Sequence, residues 1–176
     1  MEDTRAIYER EFNTVWHICL AYMRNNAEAE DALQETFLRY MKYSGSKKDA
    51  FADADPVVSA KKIRAWLIVT AGNVCKDQLK SWWRKRESIE DYDHVQPSAE
   101  YEHDTMLEMI MKLPDKYKIP VYMYYYLGYD SSEIAKELHV PKSTVRSRLT
   151  RARSRLKEEL EKEAGGLQEG GMKYEH

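Results

Sequence analysis

From Glu87 to Glu108 the chain carries eight carboxylates and neither a lysine nor an arginine. A stretch that acidic cannot run through the interior of a packed domain without leaving buried charge unpaired. It therefore limits what 176 residues can fold into: two small packed units with a solvated connection, rather than a single core. The flanking segments reinforce the division. Lys62 to Arg86 holds seven cations against Asp77 alone, and Lys142 to Lys157 holds five arginines and two lysines with no acid. The formal net charge of -2 thus conceals two basic blocks on either side of an acidic one.

Outside that stretch the apolar residues recur at helical spacing, and glycine and proline are scarce, with seven and five copies. The fold class predicted is all-α, as two small helical domains. A first helix from Thr4 to Met23 places Ile7, Phe12, Val15, Trp16 and Cys19 at helical spacing. "RNNAEAED" interrupts it, and a second helix carries Ala29, Leu33, Phe37, Leu38 and Met41 to about Tyr43. Residues Ser44 to Ala60 read as a loop, and a long helix follows through Ile63, Trp66, Leu67 and Val74 to Arg86. The organisation predicted is a front domain over 1–86, an acidic linker over 87–104, a second domain over 105–163, and a disordered tail over 164–176.

The second domain begins with the apolar face of Met106, Leu107, Ile110 and Leu113. A tyrosine-rich helix with Pro120 near its start then stops at Gly128. Asp130 and Glu133 have the spacing of a capping box, which opens "SSEIAKEL". That helix, the short connection "HVPK" and "STVRSRLTRARSRLKEEL" form a helix-turn-helix pattern. At about 100° per residue, Val145, Leu149, Ala152 and Leu156 make an inward stripe. Arg146, Ser147, Thr150, Arg151 and Ser154 project outward together, near the start of the second helix, where such a helix reaches base edges in a major groove. Arginine suits that position because its planar fork donates two hydrogen bonds to guanine. Lys142, Ser143, Thr144, Arg148 and Arg153 flank the face and suit phosphates. A merely solvated helix would mix acids with its cations; here none occurs until Glu158. Duplex DNA is the partner expected.

Other chemistries find little support. Cys19 and Cys75 have no CxxC partner and no histidine at ligand spacing, so both read as buried thiols, with no metal and no cofactor. The five histidines are scattered, and no nucleophile, base and orienter pattern is present, so no enzyme is expected. The start is acidic and polar, and no apolar run approaches a membrane span; a cytoplasmic protein with no membrane insertion is expected.

Three segments, in order, resemble the extracytoplasmic-function (ECF) group of bacterial sigma factors in the sigma-70 family. "AEDALQETFLRY" is similar to region 2.2, "AWLIVTAGNVCKDQLKSWWRKR" to regions 2.3 and 2.4, and "LPDKYKIPVYMYYYLGYDSSEIAKELHVPKSTVRSRLTRARSRLKEEL" to region 4. The resemblance implies a transcription initiation factor that binds core RNA polymerase and promoter DNA, with an anti-sigma factor as a further partner. It assigns polymerase contact to Asp31, Gln34, Glu35, Phe37 and Arg39, although Phe37 on an apolar face also suits core packing. It assigns the minus-10 element to Asn73, with Lys76, Lys80, Arg84, Lys85 and Arg86 on phosphates. The minus-35 duplex falls to Lys142, Ser143, Thr144, Arg146, Ser147, Arg148, Thr150 and Arg151. In relatives the loop corresponding to Ser44 to Ala60 captures a base flipped from the melted strand, and the linker threads toward the polymerase active-site cleft. Gly72 departs from the family, which often has a larger, commonly basic residue there. Trp66 suits the core, whereas Trp82 and Trp83 point in different directions and are not assigned. The rival reading is a helix-turn-helix regulator that binds DNA without docking on polymerase.

Overall fold

A computed structural model of the protein describes residues 3–23, 25–86 and 105–170; the acidic stretch predicted to be the linker lies outside them. The described residues form seven α-helices and no strand. The chain divides into two compact units, Met1–Met111 and Lys112–His176. The division falls in the last turn of α4 (Thr105–Lys112), a few residues beyond the expected start of the second domain.

In the first unit α1 (Thr4–Met23), α2 (Asn26–Ser46) and α3 (Pro56–Arg86) pack against one another in all three pairings. α1 has the bounds its periodicity predicts. α2 starts where the Asn25 side chain accepts hydrogen bonds from the N–H groups of Ala27 at 2.9 Å and Glu28 at 3.3 Å, satisfying two donors that a helix start leaves over. It continues to Ser46 rather than ending near Tyr43. α3 begins at Pro56, so the connection is 47–55 and not the longer loop predicted to reach Ala60. The cause is local: Asp55 accepts from the N–H of Val57 at 2.8 Å, and Pro56 at the first helical position has φ preset and no donor to waste.

The core of this unit collects Ile7, Val15, Ile18 and Cys19 from α1, Ala29, Leu33, Phe37 and Tyr40 from α2, and Leu67, Ile68, Val74 and Cys75 from α3. Burying each large aliphatic side chain is worth about 1.5–3 kcal/mol. Phe37 packs on Tyr8 with ring centroids 4.7 Å apart. Leu38 and Met41, read from the sequence as part of the apolar stripe, are instead 51% exposed each. Leu38 and Met41 lie about 100° round the helix from Phe37 and Tyr40 respectively, and the i, i+4, i+7 set Leu33, Phe37, Tyr40 takes the interior. Among the described residues of this unit one charged group lies wholly inside: Glu11, at 0% exposure. Its carboxylate accepts from Arg10 Nε at 2.7 Å and from Arg64 at 2.8 Å and 3.3 Å, tying α1 to α3.

The second unit is built on α5 (Asp115–Tyr125), α6 (Ser131–Leu138) and α7 (Lys142–Gly170), all in mutual contact. Pro120 lies inside α5 and is buried; it forfeits one helical hydrogen bond there. After α5 Gly128 takes a left-handed φ of 67°, and the Tyr129 N–H donates back to the Met123 carbonyl at 3.0 Å, a C-terminal stop that suits glycine. The predicted capping box is complete: Asp130 accepts from the N–H of Glu133 at 2.9 Å, and Glu133 accepts from the N–H of Asp130 at 2.9 Å. α6 ends on His139, also left-handed at φ 53°, which makes the tight turn into α7. α7 continues to Gly170, beyond the expected domain end at 163. A Lys162–Glu159 pair at 3.0 Å supports the turn before it, and the helix then continues through Gly165 and Gly166 despite their low helix propensity. Residues 171–176, the rest of the predicted tail, lie outside the described residues.

Candidate nucleic-acid and polymerase interface

The leading half of α7 separates its side chains as its periodicity requires. Val145, Leu149, Ala152 and Leu156 are buried against the unit, whereas Arg146, Ser147, Thr150, Arg151 and Ser154 are exposed. Lys142 and Ser143 are exposed as well, with Thr144 and Arg148 half-buried beside them. The capping box and the left-handed His139 set the angle at which this helix leaves α6, so the sequence of the turn decides where the cations point. Arg153 is held to one side, its Nε donating to the Tyr125 hydroxyl at 3.3 Å.

The first turn of α5 adds two residues that the sequence reading did not assign. Lys116 and Tyr117 line an open recess of about 430 Å³ together with Ser143, Thr144, Ser147, Arg148 and Arg151. Three cations and three aliphatic hydroxyls around one concavity can donate many hydrogen bonds to an anion, the chemistry of a phosphate seat. The "LPDK" turn was the available signal, since it places Lys116 at the start of a helix packed on α7. Burial pushes the Tyr117 phenol up, but hydrogen bonds and charge from Lys116 and Arg151 outweigh it, so the group titrates below the ordinary tyrosine range.

In the first unit Asn73 and Lys80 are exposed on α3, and Lys76 lies 5.9 Å from the centre of the Tyr22 ring. The side chains of Arg84, Lys85, Arg86 and Trp83 lie outside the described residues. Gly72 is buried. Two cations of this basic block serve the fold: Arg64 holds Glu11, and Lys62 donates to Asp53 at 2.8 Å. The Lys62 hydrogen bond, with that of the Asp55 N–H, holds the Asp53 carboxyl below the usual carboxylate range. The connection 47–55 is anchored a second time by Phe51, which meets Tyr40, Tyr43 and Trp66 at centroid distances of 5.7, 5.7 and 6.0 Å. Trp66 is thus a packing residue, as its position in the sequence suggests.

On α2 the structure rearranges the expected polymerase set. Asp31 and Gln34 are exposed. Phe37, expected among the contacts, is 5% exposed and belongs to the core. Glu35 and Arg39 pair with each other at 2.7 Å, and Arg39 reaches Asp77 of α3 at 3.9 Å. The residues that share an exposed face with Asp31 and Gln34, at alternating spacings of three and four, are Leu38 and Met41. An acidic and amide end followed by two bare apolar side chains is a surface suited to a protein partner. Trp82 is half-buried and, with Met23, Glu28, Asp31, Gln78 and Leu79, lines a small recess of about 110 Å³ at one end of this face. Among the described residues no group of three or more His, Cys, Asp or Glu is placed to hold a metal ion, and no helix is long and apolar enough to cross a membrane.

A helix-turn-helix unit with a cationic leading face, joined in one chain to a three-helix unit with an exposed apolar strip on α2, is the architecture of a two-domain DNA-binding protein. Comparison with known proteins narrows the class. Residues 7–52 match Sigma-70 region 2, and residues 103–156 match Sigma-70, region 4. The chain is 26% identical to the ECF RNA polymerase sigma factor SigL of Mycobacterium tuberculosis, over 82% of this chain and 81% of that protein. It is 25% identical to SigW of Bacillus subtilis, over 83% and 82%, and 28% identical to SigM of the same organism, over 86% and 91%; both are ECF RNA polymerase sigma factors. In fold it is similar to the sigma factor RpoE, solved in complex with the anti-sigma factor NepR from Bartonella quintana. That match has a TM-score of 0.66 at 18% identity and covers 92% of this chain and 98% of RpoE. The protein belongs to the sigma-70 family, in its ECF group.

Proposed function

We propose that the protein binds core RNA polymerase and directs initiation at promoters that carry its own minus-35 and minus-10 elements. The observation that carries this is the pairing, in one chain, of a region 2 match with an exposed apolar strip on α2 and a region 4 match with an exposed cationic face on α7. The start of α7 enters the major groove of the minus-35 duplex, where Arg146 and Arg151 meet base edges. Lys116, Lys142, Ser143, Thr144 and Arg148 hold the backbone around them. α3 offers Asn73 to the minus-10 strand, with Lys76 and Lys80 on phosphates, while the connection 47–55, braced by Phe51 and by Asp53 with Lys62, accepts a flipped base. Asp31, Gln34, Leu38 and Met41 dock on polymerase. The protein supplies position and specificity, and the polymerase supplies the chemistry.

An anti-sigma factor is part of the same proposal. RpoE was solved with one, and the exposed apolar and cationic faces of this chain are the surfaces such a partner would cover. A helix-turn-helix regulator acting alone leaves the region 2 unit and its α2 face without a role. Run-off transcription with purified core enzyme, followed by sequencing of the RNA starts, tests the proposal. New starts that share upstream elements are expected, and a chain that neither joins core enzyme nor changes its starts refutes it. In gel shifts the DNA complex should need core polymerase.

A further inference from the structure

Tyr124 and Tyr125 close α5 with side chains 38% and 41% exposed, their rings set edge to face with centroids 5.0 Å apart. The Tyr125 hydroxyl accepts a hydrogen bond from Arg153 Nε on α7 at 3.3 Å. An exposed arginine samples many rotamers, and a bond to a ring braced by its neighbour narrows that set before a ligand arrives. With Nε engaged, the two Nη groups of Arg153 keep four hydrogens, and the Tyr125 O–H keeps its own proton to donate. Both side chains are exposed. Together they present one positive charge and several donors to solvent, the set from which a phosphate diester accepts.

The position of the pair sets which strand of a duplex it meets. At about 100° per residue, Arg153 lies about 140° round α7 from Arg148 and about 160° from Arg151, the two arginines that line the recess with Lys116. α5 therefore serves both edges of α7. Lys116 in its first turn stands at one edge, and Tyr125, nine residues on and about 13 Å along the axis, stands at the other. The exposed hydroxyl side chains of Ser147, Thr150 and Ser154 fall between the two edges. A helix seated in a major groove has one phosphate strand along each side. We propose that Tyr125 and Arg153 form a second phosphate seat, which takes a backbone phosphate of the minus-35 duplex on the strand opposite the one held at the Lys116 recess. This rests on the proposed function, in which α7 enters that groove. Tyr125 acts there twice, orienting Arg153 and donating its own proton to a phosphate oxygen, and neither side chain reads a base.

The test measures binding of the full chain with core polymerase to promoter duplexes randomised across the minus-35 element. A second set of duplexes has single backbone phosphates replaced by neutral methylphosphonates. Arg153→Ala should weaken binding at every minus-35 sequence alike and lower the slope of log affinity against log salt by about 0.9, the share of one phosphate. Tyr125→Phe keeps the ring and removes the oxygen; it should weaken binding about threefold to tenfold, again with no base preference. One methylphosphonate position should bring both variants level with the parent, whereas Lys116→Ala should map to a phosphate on the other strand. A loss confined to one base position, two seats that map to one strand, or the lack of any phosphate whose neutralisation removes the effect each overturns the inference. So does a weaker hold of either variant on core polymerase without DNA, which would make the pair a protein contact. If the parent binds promoters and both variants match it, the inference alone falls. If the parent with core enzyme binds no promoter, the proposed function falls as well.

Discussion

Arg64 to Met is the substitution whose cost the first unit should feel most sharply. Glu11 is completely buried, and its carboxylate receives three hydrogen bonds, two of them from Arg64. Removing one partner of a buried ion pair leaves charge uncompensated, at about 3–5 kcal/mol. Two features lower the figure here. Arg10 stays in place at 2.7 Å, and about a third of the Arg64 side chain, 34%, already reaches solvent. A loss of about 3 kcal/mol is therefore expected. Replacing Glu11 with Leu in the same chain removes the stranded carboxylate, so the double variant should be more stable than Arg64→Met alone. Urea unfolding followed by tryptophan fluorescence measures this without interference, because Trp16, Trp66, Trp82 and Trp83, the four tryptophans, all precede the acidic stretch. A loss below about 1 kcal/mol for Arg64→Met, the range of an exposed pair, would refute the view that a buried carboxylate binds α1 to α3. So would a double variant whose loss equals the sum of the two singles.

Leu38→Ser with Met41→Ser should lower affinity for core polymerase about tenfold or more, as loss of interface anchors does, while the tryptophan-monitored urea midpoint stays put; an unchanged dissociation constant would remove the α2 docking face. His139 holds a left-handed φ of 53°, a conformation costing most residues about 1–2 kcal/mol. His139→Gly should therefore raise the stability of the second unit by about 0.5–1 kcal/mol and His139→Val should lower it, as circular dichroism melts would show. Asp53 has its carboxyl held down by Lys62, so the pair contributes above the unfolded carboxylate range and is lost as pH falls through the depressed folded value. Carbon-13 NMR titration should find Asp53 titrating below the usual carboxylate range in the parent and higher in Lys62→Met, though still held down by the Asp55 N–H; identical titrations in both would discard the pair. Arg146→Ala should cost about 1–3 kcal/mol at one promoter position, read from the same randomised templates; a uniform loss at every promoter would make Arg146 a phosphate contact instead.

The features legible in the sequence are those fixed within a few turns of chain. The bounds of α1, the capping box at Asp130 and Glu133, the stop at Gly128, and the division of α7 into an apolar stripe and a cationic face all follow from spacings of two to four residues. So would the start of α3, had Asp55 and Pro56 been read as a cap and first turn rather than as loop. What resisted were the contacts made across the bundle. Glu11 looks like one more charge among Arg5, Glu9 and Arg10 of the opening helix, and only its approach to Arg64, 53 residues on, shows that it is buried. Phe37 and Leu38 are neighbours of similar hydrophobicity, and only the packing of α1 on α2, with Tyr8 4.7 Å from the Phe37 ring, shows which of them turns inward. Tyr117 reads as one tyrosine among 13 until α7 brings Arg155 to 5.8 Å from its ring. In each case the choice between core and site was made by a partner distant in sequence. The reading face of α7 was visible in advance because its own helical period separates it, whereas the docking face of α2 became visible only once α1 had claimed Phe37.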